Sequence, residues 1–179
     1  MKFRTWPAVI GCMLSTQAVA QSVVLRPGEK VIVRIRDGQA IVQQRGPADP
    51  MTKYDLNTAW RAETQEVPPG VKMVPPQFIT DGEGPPEPLK PILGQVELTF
   101  RQVPGLKGPA TQTALMIVNG YNLKLRYRAV IRRNIRSVAR DVCEILPTLR
   151  GIEHCPYMLD EIENNDIGLD SSVGEARCK

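Results

Sequence analysis

The sequence predicts an all-β protein, a two-sheet antiparallel sandwich of the immunoglobulin-like kind with a long Pro-rich connection. Three observations carry that expectation. From Leu123 to Arg132 the side chains alternate, with Leu123, Leu125, Tyr127, Ala129 and Ile131 on one face and Lys124, Arg126, Arg128, Val130 and Arg132 on the other. A period of two is that of a strand with one dry and one wet face. Seven to nine such runs recur, separated by turn residues, the pattern of a sandwich. The Cys–Trp–Cys arrangement of antibody domains is missing, because Trp60 falls outside the span of the later cysteines. The expectation is therefore one of architecture.

Residues 1–20 read as a secretory signal peptide. Lys2 and Arg4 supply positive charge, Trp6 to Leu14 a short apolar stretch, and Ala18-Val19-Ala20 a small-x-small site cut between Ala20 and Gln21. That stretch is too short for a stable membrane span. A rival reading makes Val9-Ile10-Gly11-Cys12 a lipobox with Cys12 as a lipid anchor. Pro7 and the brevity of the apolar run favour the cleavable signal. The mature chain would have 159 residues, enough to bury a core without metal or many disulfides. Its formal charge falls from +4 to +2, too little to pull the whole molecule toward nucleic acid.

Residues 21–45 form the first β unit. Val31, Val33 and Ile35 alternate along Glu29 to Arg36, and Asp37-Gly38 is a two-residue hairpin signal that returns the chain through Gln39 to Gln44. Residues 46–93 are a connection. Asp55 can cap a short helix over 55–65, with Leu56 and Trp60 on one face. Val67 to Pro91 then holds eight of the sixteen prolines and reads as an extended, partly disordered spacer.

Residues 94–170 are the main sandwich region, expected to form one domain with 21–45. Gln95 to Gln102 alternates with Val96, Leu98 and Phe100 inward and Glu97, Thr99 and Arg101 outward. Ala114 to Val118 and Leu123 to Arg132, joined through Asn119-Gly120-Tyr121-Asn122, are expected to form a central hairpin. Further strands are expected at Ser137 to Leu146, Gly151 to Tyr157 and Glu161 to Leu169, before a polar tail, 171–179.

Of the cysteines, Cys143, Cys155 and Cys178 remain after cleavage. In an oxidising compartment the expected bridge is Cys143 to Cys155, a loop whose closure contributes about 3 kcal/mol on the chain-entropy model. Cys178 is then the odd one. It can link a second copy as a disulfide dimer, exchange for one of the others, or stay a thiol.

The basic run is the main candidate for binding. Lys124, Arg126, Arg128, Arg132, Arg133, Arg136 and Arg140 fall within seventeen residues that hold no acid. Alternation puts Lys124, Arg126, Arg128 and Arg132 on one outward face, suited to lipid head groups, lipopolysaccharide or an anionic glycan. The competing reading is a solvated face balanced by Asp160, Glu161, Glu163 and Asp166 on a neighbouring strand. Nucleic acid is not expected, since the face carries no aromatic side chain for stacking.

Catalytic chemistry finds little support. His154 is the one histidine, no G-x-S-x-G elbow or Gly-rich phosphate loop exists, and neighbouring His154 and Cys155 point to opposite faces of a strand. No metal and no cofactor is expected. A glycosidase-like carboxylate pair would draw on Glu97 or Glu144, the acids in apolar surroundings, though cross-strand ion pairs account for them better. The expected function is thus a non-enzymatic, exported interaction or assembly module of a bacterial-type envelope. Its partner would add at an edge strand, Gln39 to Gln44 or Glu161 to Leu169.

Overall fold

The computed structural model describes residues 22–52, 56, 59, 91–105, 108–140 and 142–177. Among the described residues nine strands follow in chain order: β1 Val23–Leu25, β2 Glu29–Arg36, β3 Gln39–Pro47, β4 Val96–Gly105, β5 Gly108–Asn119, β6 Lys124–Arg133, β7 Arg136–Arg140, β8 Arg150–Cys155 and β9 Glu161–Asp170. They form two antiparallel sheets packed as a β-sandwich. The five-stranded sheet has the order β3-β2-β4-β5-β8 and the four-stranded sheet β1-β9-β6-β7.

The Asp37-Gly38 hairpin forms as expected. Both residues have positive φ, 53° and 74°, and Arg36 faces Gln39 across the turn. Such a type I′ loop matches the right-handed twist of its strands. The core lies between the sheets, where Val31, Val33, Val96, Leu98, Phe100, Leu115 and Ile117 meet Leu25, Leu125, Ile131 and Ile162. Each is almost wholly removed from water, worth about 1.5–3 kcal/mol per side chain.

The expected central hairpin does not form. β5 pairs with β4 and β8, whereas β6 pairs with β7 and β9, so the four residues between them carry the chain from one sheet to the other. Asn119 organises that crossing. Its buried amide donates to the carbonyls of Leu123 at 2.8 Å and of Ile145 and Leu146, each at 3.1 Å. Its side-chain oxygen accepts the Tyr121 N–H at 3.0 Å. Gly120 is needed for close approach: a Cβ there would stand 1.9 Å from the Ile92 carbonyl oxygen. Turn-forming residues thus served a sheet-to-sheet arch, whose local chemistry resembles that of a hairpin loop.

Other expectations are revised. Thr99 and Arg101 are buried, because the chain near Asp49, Met51 and Ala59 covers that face of β4. The run Ser137 to Leu146 is interrupted: β7 ends at Arg140, and Ile145 returns as an isolated bridge to Leu125. Glu161 to Leu169 is no edge, since β9 lies between β1 and β6. Leu56 and Ala59 are helical. The rest of the expected helix, the signal peptide with Cys12, Ala20 and Gln21, nearly all of the Pro-rich spacer, and Cys178 lie outside the described residues. Among the described residues, no helix is long and apolar enough to cross a membrane.

Candidate functional site

β6 brings the expected basic residues to one place, with one exception. Leu125, Tyr127, Ala129 and Ile131 are buried, while Arg126, Arg128 and Arg132 are exposed. Lys124, expected on the outer face, is instead 4% exposed. Its ammonium lies 3.6 Å from the Glu144 carboxylate and donates to the Glu175 carbonyl at 2.9 Å. Two segments that follow β7 and β9 close over the end of β6 and remove Lys124 from water. Neither Lys124 nor Glu144 was legible as a pair, being 20 residues apart with no regular element linking them.

The acids of β9 meet the arginines that remain. Arg132 stands opposite Glu161, and its guanidinium reaches Glu161 at 3.0 Å and Glu163 at 2.6 Å. Arg128 Nε is 3.4 Å from Asp166. A β-bulge makes this second contact possible: the register shifts between Arg126 and Arg128, and Asp166 takes a left-handed φ of 51°. Arg126 faces Gly168 and has no acidic side chain directly opposite. The balanced-face reading therefore holds for Arg128 and Arg132.

Beside the bulge a cleft of about 870 Å³ opens between the β2–β3 turn, β6, the end of β7, β9 and the tail. Arg126, Arg128, Arg140 and Arg177 line it together with Glu144 and Asp166. Arg140 also donates to the Tyr157 hydroxyl, and Arg133 stacks on the same ring at 5.2 Å from its centre. The cleft brings cationic and anionic groups together at a place where β6 has parted from β7.

One half-buried carboxyl could not be read from the sequence pattern. Tyr127, from the four-stranded sheet, donates its hydroxyl to Glu153 Oε1 of the five-stranded sheet at 2.6 Å. Burial pushes the Glu153 carboxyl above the usual carboxylate range, while bonds from the Tyr127 hydroxyl and the Cys143 N–H pull the other way. Burial and then the facing carboxylate push the Tyr127 phenol upward. The available signal was Tyr127 itself: an inward tyrosine needs a polar partner for its hydroxyl. Glu97 and Glu144, the acids singled out from sequence, are both ion-paired, Glu97 with Lys30 at 3.2 Å.

His154 bonds the Gln112 side chain. Among the described residues, no group of three or more His, Cys, Asp or Glu is placed to hold a metal ion. Cys155 is a thiol, so the expected bridge from Cys143 to Cys155 is not formed. Cys143 is tied through its N–H to Glu153 in the interior, and Cys155 lies two residues farther along β8. No family model, curated protein or solved structure matches the chain.

Proposed function

We propose that this chain is an exported, non-enzymatic β-sandwich that serves as an interaction or assembly module of a cell envelope, taking a partner strand along β3. The observation that carries this reading is the edge of the five-stranded sheet at β3, beyond which no further strand pairs among the described residues. β3 is nine residues long, is hydrogen-bonded to β2 on one side, and is largely exposed from Ile41 to Arg45. The edges of the four-stranded sheet are shorter, three residues in β1 and five in β7. A long exposed edge is a template for an added strand.

The leader-like residues Lys2, Arg4 and Ala18-Val19-Ala20 support export, with anchoring through Cys12 as the variant form. The immunoglobulin-like element of the proposal is one of architecture. The strand orders β3-β2-β4-β5-β8 and β1-β9-β6-β7 differ from the ABED and CFG sheets of antibody constant domains.

The test is to block the edge without breaking the fold. Hydrogen-bonded and open pairs alternate away from the Arg36–Gln39 closing pair, so Ala40 and Val42 direct their N–H groups outward. Ile35, opposite Ala40, accordingly donates its N–H to the Tyr121 hydroxyl at 2.7 Å. Val42→Pro removes an outward donor. Affinity capture from an envelope extract should recover a partner with the parent protein and lose it with Val42→Pro, at unchanged circular dichroism. Equal capture by both proteins counts against the reading.

A second reading, a binder of anionic envelope ligands, is favoured by the arginines of the cleft. Retention on anionic vesicles or lipopolysaccharide that is lost in salt would support it. An absence of retention at low salt would remove it.

A further inference from the structure

Past Asp170 the tail stays on the sandwich. It turns at Gly174, φ 129°, and comes back beside the segment that follows β7. There the Glu144 N–H donates to the Arg177 carbonyl at 2.9 Å, and the Arg177 N–H donates to the Glu144 carboxylate at 3.2 Å. Cys143, the residue before Glu144, occupies a β-bridge position. The chain at Ile145 runs antiparallel to β6, as β9 does. A tail that has reversed after β9 therefore meets Glu144 in the antiparallel sense.

In antiparallel pairing, such a bond borders a directly opposed pair that shares no hydrogen bonds of its own. Cys143 stands one residue before Glu144 in the sequence, and the residue that follows Arg177 is Cys178. Residues so opposed lie about 4.5 Å apart at Cα, inside the range of about 4.4–6.8 Å that a disulfide spans. Cys155, in contrast, is a thiol on β8.

The geometry points to an intramolecular Cys143–Cys178 disulfide that locks the tail in place and holds Arg177 in the wall of the cleft. Its formation needs a disulfide donor, such as glutathione disulfide or a thiol–disulfide oxidoreductase. The Cys143 thiolate attacks one donor sulfur, the donor S–S bond breaks, and one thiolate leaves. The Cys178 thiolate then displaces the other from the mixed disulfide. The two cysteine thiols lose two protons and two electrons, and the donor takes them up as two thiols. This inference goes beyond the interaction-module reading and does not depend on it.

The test is peptide mapping of the full chain, oxidised in a glutathione redox buffer, alkylated and digested with trypsin without reduction. The expected products are the peptide 141–150 linked to 178–179 and an alkylated Cys155 in the peptide 151–177. A Cys143–Cys155 link, a covalent dimer on a non-reducing gel, or alkylation of both Cys143 and Cys178 would each overturn the assignment. In Cys178→Ser, amide exchange at Glu144 and Arg177 should rise by about tenfold or more as the tail opens locally. An unchanged rate would refute the locking role.

Discussion

Tyr127 and Glu153 join the two sheets through the interior, the hydroxyl of one 2.6 Å from the carboxylate oxygen of the other. The contact lies between strands that share no backbone hydrogen bonds, β6 and β8. Tyr127→Phe keeps the ring and leaves the carboxylate without this donor. Chemical denaturation should show a loss of about 1–3 kcal/mol.

The same pair gives a pH dependence of definite sign. Because the folded pKa of Glu153 is raised, the native state binds its proton more tightly than the unfolded chain does. This group's contribution should fall as pH rises from the ordinary carboxylate range through the folded pKa, and level off above it. Glu153→Gln should remove that part of the pH–stability profile. An unchanged profile in thermal melts across acidic pH would contradict the assignment.

Lys124 and Glu144 make a different kind of contact, an ion pair with side chains 5% and 11% exposed. Lys124→Met alone strands the carboxylate and should cost about 3–5 kcal/mol. Adding Glu144→Leu should recover much of that loss, because the desolvation of both charges disappears with them. A double-mutant cycle reads the coupling directly.

Arg132 bridges Glu161 and Glu163 at a half-exposed position. Arg132→Ala should lower stability by about 0.2–1 kcal/mol, a difference that shrinks in high salt. Parallel denaturation curves at low and high ionic strength measure it.

Gly120→Ala forces a Cβ against the backbone at Ile92 and Gln95. A loss of about 1–3 kcal/mol is expected from the overpacking. Gly46→Ala, with open space around it, should stay within about 0.5 kcal/mol of the parent protein.

Strand existence was legible wherever one face is dry and the other wet. β2 has the expected bounds, and β6 differs from expectation by one residue at each end. Sheet membership was not legible across Asn119 and Gly120. The same two residues suit a tight hairpin and an arch between layers, and the choice is made by distant carbonyls at Ile92, Ile145 and Leu146. Within the site, the alternation located Arg126, Arg128 and Arg132 but missed the burial of Lys124. Alternation reports on the faces of one strand and carries nothing about a later segment that folds over its end. The acids that answer Arg128 and Arg132 could be named from composition. Their pairing depends on a bulge at Asp166 that the residue types do not announce.

The arch at Asn119 also shapes how the chain reaches its final form. β2 to β5 pair with one another in the larger sheet and are all made before β6, whereas β1 and β6 both need β9, the last of the nine described strands. During synthesis from the N-terminus, the larger sheet can assemble while the smaller one still lacks a central strand. Its apolar face is then bare until residues 161–170 emerge, which points to slow, non-local folding on the order of milliseconds to seconds and a nascent chain that benefits from a chaperone.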